Sequence, residues 1–86
     1  MYRVEAKPSV EKDLRRLPTP MRIRIERRIS ALASNPFPHL SIKLTNAERL
    51  WHVRVGDCRI VYEVDTDARL VVVHYVRHRR EVYRGI

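Results

Sequence analysis

Histidine and arginine recur in two short segments of the C-terminal half of the chain. The first segment holds His52, Arg54 and Arg59, and the second is the run RHRR at residues 77–80. Imidazole takes up and releases protons near neutral pH, and guanidinium groups stabilise negative charge on phosphate oxygens. Attack of a ribose 2′-OH on its own phosphate needs a base, an acid and cations around the phosphorane. These residue types therefore fit cleavage of an RNA phosphodiester bond.

The carboxylates near these basic residues do not form a metal-binding pattern. Asp57, Glu63, Asp65 and Asp67 fall mainly in predicted turns, and the spacing of cysteine and histidine resembles no zinc site. We therefore expect no metal and no other cofactor. The single cysteine, Cys58, is expected to be a small buried side chain.

The excess of positive charge comes almost entirely from arginine. Lys and Arg number 18 against 10 Asp and Glu, which gives a net charge of +8, and 15 of the 18 are Arg. The planar guanidinium group matches phosphate better than the lysine ammonium group does. This composition favours a nucleic-acid-binding protein. A basic surface that only keeps the protein in solution remains the alternative.

Apolar spacing predicts two helices before the basic segments. Residues 8–17 should form the first, with Ser9 as its N-cap and Val10, Leu14 and Leu17 on one face. Residues 20–33 should form the second, with Thr19 as its N-cap. Its apolar stripe is formed by Met21, Ile25, Ile29 and Leu32. The pair should make a helical hairpin.

Alternation of apolar and polar residues predicts strands at residues 2–6, 50–55, 58–64 and 70–76, with a loop at 36–46. The last of these is apolar almost throughout, which predicts an interior strand covered on both faces. The fold class is therefore α+β, a single β-α-α-β-β-β domain over residues 1–86. Its four-stranded, mainly antiparallel sheet packs on the helical hairpin.

Two short helices can cover only one face of this sheet, and the other is called the open face here. His52, Arg54 and Arg59 should lie on the open face, and Trp51 should lie in the core. The strand of residues 70–76 should deliver the following basic run to the same edge. Tyr83 could stack on an unpaired base or pack back on the sheet. A merely solvated face is the competing interpretation.

Three segments resemble the RelE/ParE superfamily of toxins. They are SVEKDLRRLP at residues 9–18, LWHVRVGDCRIVYE at 50–63 and HRREVY at 78–83. The middle segment is similar to a basic strand, a Gly-Asp turn and the family's YRIIYEI strand, and the last is similar to its GHRREVY ending. The resemblance covers nearly the whole chain. It implies the RelE-like fold and, within the RelE branch, an mRNA interferase that cuts mRNA on the ribosome without a metal.

The resemblance also implies roles for single residues. The two basic positions of the first hairpin strand fall on His52 and Arg54, and the arginine that stabilises the transition state falls on Arg59. The second arginine, a general acid, falls on Arg79, and the tyrosine that stacks on the substrate falls on Tyr83. Further RNA contacts are assigned to Lys43, Arg77, His78 and Arg80.

Two departures from the RelE pattern concern the general base. RelE has lysines where this chain has His52 and Arg54, and arginine stays protonated. His52 is therefore the expected base, with His78 in reserve. The other departures are Cys58 in place of an aromatic residue and Arg77 in place of glycine.

The resemblance leaves two other functions open: inhibition of DNA gyrase, as in the ParE branch, and binding of nucleic acid without catalysis. It implies as partners an acidic, partly disordered RelB-like antitoxin, the ribosome and mRNA, with operator DNA bound only through the antitoxin complex. No apolar run approaches the roughly 20 residues that span a membrane. The N-terminus carries no apolar signal segment, so we expect a cytoplasmic protein.

Overall fold

The computed structural model describes residues 1–44 and 49–78. Its elements in chain order are β1 (Arg3–Ala6), α1 (Pro8–Arg15), α2 (Thr19–Ala31), β2 (Ile42–Lys43), β3 (Leu50–Val55), β4 (Cys58–Asp65) and β5 (Leu70–His78). The strands form one sheet in the order β1-β5-β4-β3-β2. β1 and β5 are parallel, and every other neighbouring pair is antiparallel. The α+β class is confirmed.

The sheet has one strand more than the sequence predicts. Ile42 and Lys43, placed in a loop by the sequence analysis, pair with His52 and Trp51 at the outer edge of β3. Two residues are too few to show alternation, and the surrounding segment is rich in proline and polar residues. The prediction of four strands was therefore wrong, because pairing with β3 and not local sequence defines β2.

The apolar stripes of the two helices cover one face of the sheet. Val10, Ile25 and Leu32 are buried, and the other predicted stripe residues, Leu14, Leu17, Met21 and Ile29, pack against the same cluster. The sheet contributes alternate residues of its three long strands to this core: Val53, Val55, Cys58, Ile60, Tyr62, Val64, Val71, Val73 and Val76. The predicted helical hairpin and the burial of Cys58 are confirmed.

The N-caps predicted for the two helices were wrong. Lys7 occupies the cap of α1 and Pro18 that of α2, and neither uses a side chain as a cap. Helix α1 begins at Pro8, as predicted, and α2 begins at Thr19, one residue earlier than predicted. Each helix has a proline in its first two positions, where the missing N–H suits the first turn. Ser9 instead donates its hydroxyl hydrogen bond to the carbonyl of His74 on β5, at 3.0 Å.

Helix α1 closes the part of β5 that extends past β1. The pairing of β1 ends at Ala6 and Val73, so β5 has an unpaired edge from His74 onward. Ser9 donates to the His74 carbonyl, and Asp13, one turn later on α1, accepts the backbone N–H of Val76 at 3.0 Å. Two side chains of one helix face thus replace the missing strand partner.

The two faces of β5 differ, which corrects the prediction that both are covered. Val71, Val73 and Val76 are buried under the helices, whereas Val72, His74 and Tyr75 are only half-buried. The register shifts here: Val61 pairs with Tyr75 and Tyr62 with Val73, so His74 is the extra residue of a β-bulge. The open face therefore continues across β5.

Candidate nucleic-acid interface

Three arginines lie side by side across the open face. Arg54 of β3 stands directly opposite Arg59 of β4, and Arg59 stands opposite Arg77 of β5. Residues that pair directly point to the same face of a sheet, and neighbouring strands are about 4.8 Å apart. We call Arg54, Arg59 and Arg77 the arginine row. Strand alternation predicts Arg54 and Arg59 on this face and Arg77 near the same edge, and the register brings the three together.

The next row on the open face contains the candidate base. His52 pairs with Val61, which pairs with Tyr75, and Ile42 flanks His52 on the outer side. Val61 is buried, so the cross-strand neighbour of His52 on this face is an apolar side chain. Burial lowers the pKa of His52 from its ordinary value of 6.5, and the positive charge of Arg59 lowers it further. His52 is therefore neutral, and able to accept a proton, over a wider pH range than free histidine.

The three arginines of the row differ in what holds them. Arg77 donates to Asp13 at 2.8 Å, and its guanidinium carbon lies 4.6 Å from the centroid of the Tyr75 ring. Arg54 donates its Nε–H to the carbonyl of Gly56 at 2.8 Å and folds over the β3–β4 turn. Arg59 has neither a carboxylate partner nor a hydrogen-bonded one among residues 1–44 and 49–78. Of the three arginines, only Arg77 has a carboxylate partner among the described residues, so a ligand could compensate the charges of Arg54 and Arg59.

The structure separates two other predicted contacts from this surface. Lys43 pairs with Trp51, and Trp51 faces the side opposite to His52, so Lys43 lies off the open face. His78 pairs with the buried Cys58 and lines a small cavity with Asp13 of α1 and the residues that follow this helix, also on the helix-covered face. The register thus places both residues on the face opposite to His52, and their assignment as RNA contacts stays a prediction.

The remaining predicted residues are Arg79, Arg80 and Tyr83. All three lie outside the described residues, so their roles stay predictions.

Trp51 behaves as the sequence analysis expects. Its ring packs edge-to-face on Phe37, with the centroids 4.8 Å apart, and borders the core cluster. It is therefore a packing residue.

Two residues of the site were missed at the level of sequence. Tyr75 lies on the open face beneath Arg77, and counting back two residues from Arg77 would have placed it there. Asp13 orients Arg77 from a helix more than 60 residues earlier in the chain, for which no local sequence signal exists.

The chain matches a family profile described as the ParE toxin of the type II toxin–antitoxin system parDE, over residues 4–83. That span covers nearly the whole chain. The protein belongs to this toxin family. It is a RelE/ParE superfamily toxin of a type II toxin–antitoxin system.

Individual relatives of the toxin carry the RelE name. A protein of Methanocaldococcus jannaschii assigned as toxin RelE1 is 28% identical over 98% of this chain and 97% of its own length. The RelE–RelB complex of Pyrococcus horikoshii OT3 matches with a TM-score of 0.78 and 25% identity, over 91% of this chain and 94% of that one. The isolated E. coli RelE toxin matches in fold, with a TM-score of 0.77 and 21% identity over 99% and 94%.

No helix among the described residues is long and apolar enough to cross a membrane. Within residues 1–44 and 49–78, no three His, Cys, Asp or Glu side chains converge on a position where they could hold a metal ion.

Proposed function

We propose that this toxin is an endoribonuclease that cleaves mRNA on the ribosome, without a metal, by attack of a ribose 2′-OH on the adjacent phosphate. The observation that carries the proposal is that His52 and Arg59 share the open face, close enough for the charge of Arg59 to lower the pKa of His52. A neutral imidazole can remove the 2′-OH proton, and a guanidinium group without a carboxylate partner can bind the phosphate.

The roles divide by position on the open face. His52 is the general base, and Arg59 stabilises the charge that develops on the phosphorane oxygens. Arg54 and Arg77 flank Arg59 in the arginine row, where they bind phosphate oxygens. Arg79 follows β5 directly in the chain and supplies the proton for the leaving 5′-oxygen, while Tyr83 stacks on a base of the substrate.

Tyr75 adds an aromatic surface to the same site. Its half-buried ring carries the Arg77 guanidinium on one side and belongs to the row of His52. A base next to the scissile phosphate can stack against such a ring or against the Arg77 plane, as unpaired bases do in RNA-binding proteins.

The toxin also has an antitoxin as its partner in this proposal. The similar protein from Pyrococcus horikoshii OT3 was solved as a complex with RelB. An acidic, partly disordered segment of a RelB-like antitoxin would neutralise the arginine row and block access to His52.

Inhibition of DNA gyrase is the second candidate function, because the matching family carries the ParE description. A gyrase inhibitor needs a protein-binding surface and no proton transfer, so its activity would not depend on His52 as a base.

The experiment adds the purified toxin to translating ribosomes and maps the ends of the mRNA. We expect cleavage in phase with the codons, lost in Arg79→Ala and reduced about 10²–10⁴-fold in His52→Ala, which removes the base. An intact message together with inhibited supercoiling by gyrase would replace this function with the second candidate. RNA binding with neither effect would point to a non-catalytic module.

A further inference from the structure

A cavity of about 330 Å³ lies between α2 and the β3–β4 turn, next to the open face. Its lining consists of Arg24, Arg27, Arg28, Arg54, Val55 and Gly56. Every charged residue of the lining is thus an arginine. We call this cavity the arginine cavity.

The charges of the arginine cavity are not compensated within the described residues. There, Arg3, Arg15, Arg22, Arg49 and Arg77 form ion pairs with carboxylates, and none of the four cavity arginines does. Helix α2 even contains a suitable acid, Glu26, but it pairs with Arg22. Arg24 and Arg28 are four residues apart on one helix face, where like charges are destabilising. A bound anion would relieve the repulsion between these arginines, and this relief would favour binding.

The turn between β3 and β4 keeps the cavity open. Gly56 has a φ of +58°, and a Cβ built on it would lie 2.9 Å from Met21 Cε and 3.5 Å from Arg24 Nη1. The bare backbone lets Arg24 approach the turn, while the Gly56 carbonyl fixes the Nε of Arg54. The terminal amino groups of Arg54 form no hydrogen bond within the residues described, so their donors are available to a ligand.

We propose that the arginine cavity binds backbone phosphates of the RNA strand on one side of the cleaved bond. The inference rests on RNA being the substrate of the proposed function. Arg54 is the link, because it stands opposite Arg59 in the arginine row and also lines the cavity. An RNA strand whose scissile phosphate lies at Arg59 therefore reaches α2 over a continuous arginine surface. Guanidinium forks bind phosphate oxygens in pairs, so the cavity adds affinity without reading the bases.

The test compares two variants that lose the same charge. The cavity variant carries Arg24→Gln, Arg27→Gln and Arg28→Gln. The control variant carries Arg3→Gln, Arg15→Gln and Arg49→Gln, three exposed arginines that form ion pairs elsewhere. Binding of a short, fluorescein-labelled 2′-O-methyl oligoribonucleotide, which cannot be cleaved, is followed by anisotropy over a range of salt concentrations.

We expect the slope of log K against log [salt] to become shallower by about 2 in the cavity variant, since each contact with single-stranded RNA contributes about 0.7. The slope of the control variant should stay close to that of the wild type. Equal slopes in the two variants would overturn the proposal. The proposal would also be overturned if the cavity variant lost binding to an acidic polyglutamate peptide while its binding of RNA stayed unchanged. That result would assign the cavity to an acidic protein partner.

Failure of this inference and failure of the proposed function give different results. If the wild type cleaves mRNA but the cavity variant keeps the wild-type slope, only the cavity assignment is wrong. If the salt slopes of the wild type and the cavity variant differ as expected but the wild type leaves mRNA intact on ribosomes, the cavity assignment is supported and the nuclease function is wrong.

Discussion

Replacing Asp13 tests whether α1 holds the end of β5 and the guanidinium group of Arg77. One carboxylate oxygen, Oδ2, accepts the Val76 N–H at 3.0 Å and Arg77 Nη1 at 2.8 Å. A hydrogen bond to a charged group contributes about 1.5–3 kcal/mol, and the Arg77 bond belongs near the lower end because its side chain is 36% exposed. We expect Asp13→Ala to lower the free energy of unfolding by about 3 kcal/mol.

Two further variants separate the contributions. Asp13→Asn keeps an oxygen acceptor for the Val76 N–H and loses the charge, so it should cost about 1 kcal/mol. Glu11→Ala, on the same helix, removes only an exposed pair with Arg15 and should cost at most about 0.5 kcal/mol. The measurement is urea denaturation followed by circular dichroism. An Asp13→Ala midpoint equal to that of Glu11→Ala would refute the edge-closing role of Asp13.

Three other substitutions test the core, the turn and the site. Tyr62→Phe leaves the buried carbonyl of Pro36 without its 2.8 Å hydrogen bond and should cost about 1–3 kcal/mol in urea denaturation; no change would contradict this. Gly56→Ala forces a left-handed φ on alanine and should cost about 1–2 kcal/mol; an unchanged midpoint would show that the turn relaxes. An NMR titration should give His52 a pKa below 6.5 in the wild type. In Arg59→Gln the pKa should be higher but still below 6.5, because burial remains; equal values in the two proteins would exclude Arg59 as a cause of the lowered pKa.

The same pKa shift predicts the acid side of the pH–rate profile. In the proposed mechanism the neutral form of His52 is the base, and its pKa lies below the ordinary value of 6.5. Activity should therefore persist down to pH values where free histidine is half-protonated and fall as the pH drops through the lowered pKa.

The parts of the fold with a strong local period could be predicted from sequence. The bounds of β3 agree with the prediction at both ends, and those of β4 differ by one residue, because Trp51, Val53 and Val55 alternate without interruption around a Gly-Asp turn. The stripe of Met21, Ile25, Ile29 and Leu32 likewise predicts which face of α2 is buried.

Features that depend on distant partners could not be predicted. Strand β2 exists because Ile42 and Lys43 meet the edge of β3, and two residues carry no period of their own. Ser9 has the sequence context of a cap, but its hydroxyl group binds a carbonyl 65 residues away. In both cases a contact that forms only in the folded chain decides the structure.

In the candidate site, too, the features set by local alternation could be predicted, and those set by distant contacts could not. The face shared by His52, Arg54 and Arg59 follows from alternation and was predicted. The opposite placement of His78 would also have followed, had the last strand been extended to residue 78, since neighbours in a strand face opposite sides. The β-bulge at His74 could not be foreseen, and it is the bulge that sets which residues of β5 join His52 and Arg59.

Mapping the chemistry of cleaved mRNA ends on translating ribosomes tests the central claim most directly. Attack by the 2′-OH leaves a 2′,3′-cyclic phosphate on one fragment and a 5′-hydroxyl on the other. We predict these ends in phase with the codons for the wild type. Their rate of formation should fall about 10²–10³-fold in Arg59→Ala, which loses the group proposed to stabilise the transition state, and little in the exposed control Arg49→Ala. An uncleaved message, or ends that carry 5′-phosphates, would contradict the account.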